Sequence, residues 1–157
     1  MRASYSIEPR WFVCNSGKEI ELLEDWCFTV DGTDFWVHEG YRCDGASIPW
    51  LFKHIPFIGR PFDKNNAIGA WAHDPLFLTH VLGFSGSNEV ARLLWIQAGK
   101  SNFSARAMWM AIESPFGRIS YVNTEKDKHN LAMERTKIKW REDWRKFESM
   151  WFAPERK

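Results

Sequence analysis

His73 and Asp74 stand side by side, and an imidazole beside a carboxylate can move a proton or help hold a divalent cation. Adjacent residues on a regular helix point about 100° apart. The pair therefore converges only where the helix is broken, and Pro75 is expected to end or kink it. Asp44 and Ser47 are the next candidates. They sit in a turn after a run of strands, where an Asp-Gly step favours an Asx-type turn and a serine hydroxyl bonds local backbone. The chemical alternative sets Asp44 opposite His73 to orient the ring, with Ser47 as nucleophile. The glycine-flanked serine elbow of serine hydrolases is absent, which weakens the nucleophile idea. The packing alternative has His73 bonded to the Asp44 loop and Asp74 satisfying backbone donors, and it is preferred. His54 and His80 could join His73 at a metal, but a catalytic zinc wants three protein ligands. No His-Glu-x-x-His segment supplies them, so no metal is expected and no cofactor is specified.

Two segments carry a resemblance. Gly40-Tyr41-Arg42-Cys43-Asp44-Gly45-Ala46-Ser47-Ile48-Pro49 precedes Ala70-Trp71-Ala72-His73-Asp74-Pro75-Leu76-Phe77, and Phe116-Gly117 follows later. In that order they resemble the family called domain of unknown function 1353, over roughly residues 35–117. The resemblance implies a setting in bacteriophages, prophages or bacteria, and it brings no established activity. Cys43 stands where the family pattern has Thr, and Pro75 follows the His-Asp pair. An acidic position of a later helix falls on Ala91 here, with Glu89 as the acid that could replace it.

These residues need elements to position them. Trp11–Cys14, the stretch from Glu19 to Val30 and Phe35–Val37 read as strands, with Asp31-Gly32 as a hairpin turn. Asp63 is expected to cap a helix running from Lys64 to His73. A Gly/Ser linker over Gly83–Ser87 leads to a second helix capped by Ser87. A third, capped by Ser104, closes at Pro115 and Gly117. Trp140, Trp144, Phe147 and Trp151 fall on one face of a last helix within 124–151. The expected fold is α+β: one small antiparallel sheet from the N-terminal half, packed by three to four helices of the C-terminal half around one core, in a single domain over 1–157.

Composition narrows the function. The 157 residues carry a net charge of +1, which supplies no general field for nucleic acid or an anionic membrane. Glu134, Glu142 and Asp143 dilute the basic residues near the C-terminus, so nucleic acid is not the expected partner. No run approaches the roughly 18 apolar residues of a membrane span. Three cysteines (Cys14, Cys27 and Cys43) suit a reducing compartment and are expected to be small core hydrophobes. A cytoplasmic location in an infected bacterial cell, or a place in the virion, is expected. Ten Trp and twelve Phe are many for this length. Either they thicken the core, or some are kept for a partner. Three functions stay open. One is an accessory or virion-associated protein that binds another protein through the Trp140–Trp151 face. One is a hydrolase acting through His73 and Asp74 on cell wall or a phosphorylated small molecule. One is a host-takeover or anti-defence protein that sequesters a host factor.

Overall fold

The computed structural model describes residues 1–14, 19–43 and 63–127, with side chains through 122. Asp44, Ser47, His54 and the Trp140–Trp151 stripe lie outside the described residues. The fold is α+β. Six short strands come first: β1 (Ala3–Ser4), β2 (Trp11–Cys14), β3 (Glu19–Leu22), β4 (Trp26–Val30), β5 (Thr33–Val37) and β6 (Arg42–Cys43). Four helices follow: α1 (Lys64–Thr79), α2 (Gly83–Gln97), α3 (Asn102–Ile112) and α4 (Pro115–Asp127).

The strands form two three-stranded antiparallel sheets rather than one, ordered β1-β4-β5 and β2-β3-β6. The separation falls at residues 23–25, between β3 and β4. There the Leu23 amide bonds back to the Arg10 carbonyl, and Leu22 exchanges backbone bonds with Gly40 and Tyr41. The chain therefore leaves the first ladder before the next begins. The β4–β5 hairpin turns on Asp31 and Gly32 at φ 48° and 86°. Both are left-handed values, as a type I′ turn requires.

Alternation sets the inward faces. Trp26, Phe28 and Val30 of β4 are buried, as are Phe35 and Val37 of β5 and Ile20 and Leu22 of β3. Phe28 and Phe35 stack at 5.4 Å. This layer packs on α1, which is buried nearly all round through Ala67, Ile68, Gly69, Ala70, Trp71, Ala72, Pro75 and Leu76. A helix apolar on every side belongs at the centre of a fold. A smaller second core (Ala91, Trp95, Ala105 and Met108) joins α2 to α3.

Helix α1 does not stop at Pro75. It runs to Thr79, and His80 closes it in a left-handed conformation at φ 60°. Pro75 removes one backbone donor, yet its ring is fully buried in the core, and the Thr79 hydroxyl donates to the Pro75 carbonyl at 2.7 Å. Packing on all sides outweighs the local preference at this position. The caps differ from expectation in a similar way. Asp63 is the N-cap of α1 but makes no side-chain cap bond; its carbonyl accepts from the Asn66 and Ala67 amides. Helix α2 begins at Gly83, so Ser87 is interior and its hydroxyl donates to the Gly83 carbonyl. Ser101 caps α3 by accepting from the Ser104 amide at 3.1 Å, so Ser104 is the capped residue. Pro115 opens α4, where its missing donor is harmless, and Gly117 lies inside α4.

The crossing of α1 and α2 is unusually close. The Trp95 indole lies across Gly69 and donates from Nε1 to the Asn66 carbonyl at 3.1 Å. A Cβ on Gly69 would come within 2.0 Å of that indole nitrogen. Gly69→Ala is accordingly expected to destabilise the fold by about 1–3 kcal/mol through overpacking, despite alanine's better helix propensity. Denaturant unfolding of the two proteins measures the difference.

Candidate functional site

His73 sits one turn beyond Gly69 on α1, at the same crossing with α2. The structure brings it together with Asp74: His73 Nδ1 lies 3.2 Å from Asp74 Oδ1. No break in the helix is needed, because the ring nitrogen nearest the backbone reaches the neighbouring carboxylate. Their side chains keep 15% and 21% exposure, so the pair lies at the edge of the core and is reached by solvent. On the other side of the ring, His73 Nε2 meets Asn88 Oδ1 of α2 at 2.8 Å. Asn88 is fully buried, and its Nδ2 donates to Glu113 Oε2 at 2.7 Å just after α3. The other Glu113 oxygen accepts from the Ser85 hydroxyl.

A continuous polar chain therefore runs from α1 through α2 to the end of α3. Asn88 and Glu113 were not anticipated from the sequence. Asn88 shares a helical stripe with Ala91 and Trp95, both buried, so its position on the apolar face is the signal that would have found it. A buried amide on such a face requires partners. Ala91, the position assigned to the family's acid, lies in the α2–α3 core. Asn88, one turn earlier, is the α2 side chain that reaches His73. Glu89, the proposed substitute acid, is engaged by Arg92 through two bonds of 2.8 and 2.6 Å. That bonding holds its carboxyl below the usual range, against the opposing effect of burial.

Aromatic rings border the chain. Phe77 packs on His73 at 5.0 Å and meets Tyr121 of α4 edge-on at 5.0 Å. Tyr121 also packs on His80 at 3.9 Å and on Phe84 at 5.4 Å. His80 thus stands against a phenol ring. Among the described residues no group of three or more His, Cys, Asp or Glu is placed to hold a metal. Of the cysteines, Cys43 is in the core, whereas Cys14 and Cys27 are half-buried. Burial, with Asp34 nearby, pushes the Cys27 thiol up.

A second feature involves α2 and α3. Glu89, Arg92, Arg106 and Trp109 line an open hollow of about 280 Å³ between α2 and α3. Phe103 and Met110 share the outward stripe of α3 with Arg106, at 70% and 61% exposure. On α4, Phe116, Ile119 and Val122 are exposed as well. No described helix is long and apolar enough to cross a membrane.

This architecture and polar chain are those of a small α+β protein built round a buried central helix. The family described as "Protein of unknown function (DUF1353)" matches residues 20–112, more than half of the sequence, and the chain belongs to that family. No curated protein and no solved structure matches the chain.

Two outcomes follow from the site. Asn88→Ala leaves His73 Nε2 and Glu113 without their common partner and is expected to lower stability by about 1–3 kcal/mol in thermal or denaturant unfolding. The Glu89–Arg92 pair carries a sign in pH. The folded-state pKa of Glu89 is depressed, so its contribution is complete above the ordinary carboxylate range and is lost as pH falls through the lowered value. Glu89→Gln is expected to flatten that part of an acid-unfolding profile.

Proposed function

We propose that the chain is a phage-associated accessory protein, carried in the virion, that works by binding another protein through the outward face of α3. The observation that carries this reading is the coincidence of exposed Phe103 and Met110 with the Arg92–Arg106–Trp109 hollow on one surface. Trp, Arg and large apolar side chains grouped round a depression are the makings of an interface hot spot. Arg92 is pre-set by Glu89, which spares the entropy of ordering it on contact. The matching partner surface offers an apolar knob beside a carboxylate that enters the hollow toward Arg106. Phe116, Ile119 and Val122 of α4 are exposed apolar residues of the same character. The phage setting itself rests on the resemblance of the Gly40–Pro49 and Ala70–Phe77 segments.

A second reading, a hydrolase using His73 and Asp74, is favoured by one observation: the ring is held from both sides at a solvent-reached edge. The α3 face joins an observed hollow to exposed apolar side chains, so the binding reading stands first.

Mass spectrometry of purified particles from the phage or prophage that encodes the chain tests the reading. The chain is expected in the particles at a fixed ratio to the other virion proteins. A doubly substituted chain, Arg106→Glu with Met110→Asp, is expected to fold normally and be lost from particles by tenfold or more, the loss of roughly 1.4 kcal/mol or more of binding energy. Absence of the unsubstituted chain from particles, or full retention of the folded variant, contradicts the reading.

A further inference from the structure

We propose that Asn88 and Glu113 are positioning residues that hold His73 in its Nε2–H form whenever the ring carries one proton, so that the proton it gains or loses is the one on Nδ1, shared with Asp74. The inference is independent of the α3 binding face. It rests on the hydrolase reading only for the use made of the proton; the tautomer stands without it.

The direction of each bond follows from what each group can do. A glutamate carboxylate only accepts, so the Asn88 amide must turn its NH2 toward Glu113 Oε2. The Asn88 carbonyl oxygen is thereby left facing His73 at 2.8 Å. A carbonyl also only accepts, so Nε2 carries the hydrogen. In the ring with one proton, Nδ1 therefore has the lone pair. The assignment comes from the network rather than from hydrogen positions, and Glu113 is its anchor. The Ser85 hydroxyl donates to the second Glu113 oxygen and fixes the carboxylate. Phe77 packs on the imidazole and limits its rotation.

The proton step balances without any further reagent. The Nδ1 lone pair points at Asp74 Oδ1, so the proton arrives from the Asp74 carboxyl: its O–H bond breaks, and the electron pair stays on the carboxylate oxygen. The proton joins Nδ1, and the resulting cation lies 3.2 Å from the Asp74 carboxylate, which stabilises it. An Asp–His pair alone orders the ring the other way, with Nδ1–H donating to the carboxylate. The amide relay from α2 and α3 is what reverses that preference.

Long-range proton–nitrogen correlation spectra of histidine-labelled protein, recorded where the ring carries one proton, read the tautomer directly. The His73 signals are identified by their absence in His73→Gln. The full chain is expected to show the Nε2–H form in roughly tenfold excess or more, the weight of one charge-assisted bond. Glu113→Ala frees the Asn88 amide to turn over, and the excess is expected to collapse or invert toward Nδ1–H. Asn88→Ala is expected to invert it outright. If that variant does not fold, Glu113→Ala, at a partly exposed residue, carries the test. A ring whose form is set by Asp74 rather than by the relay would lose stability in these variants and keep its tautomer. An Nδ1–H ring in the unsubstituted protein, or an unchanged ring in Glu113→Ala, overturns the proposal.

Discussion

The close crossing of α1 and α2 is the constraint on which the described structure depends. Gly69 lets the Trp95 ring lie against the α1 backbone, and the indole donates to the Asn66 carbonyl. Gly69 and His73 are one turn apart on α1; Trp95 and Asn88 are two turns apart on α2. One contact between glycine and indole therefore fixes how near the two helices run and which side chains meet further along. Asn88 arrives opposite His73 because Trp95 has arrived on Gly69. The hydrophobic layer of β3, β4 and β5 presses on α1 from the other side and keeps it central. The aromatic packing round Tyr121 then brings α4 against the same region.

Polar chemistry enters through that apolar frame. A buried amide is costly unless both its ends are bonded, and Asn88 is bonded at both. The same satisfaction that makes the chain stable makes it directional, since Glu113, at its α3 end, only accepts. Stability and chemistry are thus two readings of the same three bonds. The outward face of α3 is built differently, from exposed rings and guanidinium groups around a hollow. It needs no support from the polar chain, although both are held by α2.

Much of the fold was legible in residue order. The Asp31-Gly32 hairpin, the strands Trp11–Cys14 and Phe35–Val37, and a central helix beginning after Asp63 follow from turn chemistry and alternation. Other positions were not legible, and each for a physical reason. Pro75 reads as a stop because local sterics say so, but packing on all sides carries α1 four residues further. Ser87 and Ser104 read as caps because serine favours helix starts, yet neither is one, and Ser101 does the capping of α3. The division into two sheets depends on backbone bonds between residues far apart in sequence, which no periodicity records. At the site, His73 and Asp74 were visible as types. Asn88 and Glu113 were not, because an amide and a glutamate 15 and 40 residues onward become partners only through helix crossing.

The central claim is that the Gly69–Trp95 contact sets the approach of α1 and α2. A double-mutant cycle tests it most directly. Gly69→Ala is combined with Trp95→Leu, and the stabilities of all four proteins are measured in denaturant. The account predicts strong coupling: the destabilisation by Gly69→Ala shrinks by about 1 kcal/mol or more once the indole is gone, because the added methyl then has room. Additive effects, with the alanine equally harmful beside leucine, would contradict it.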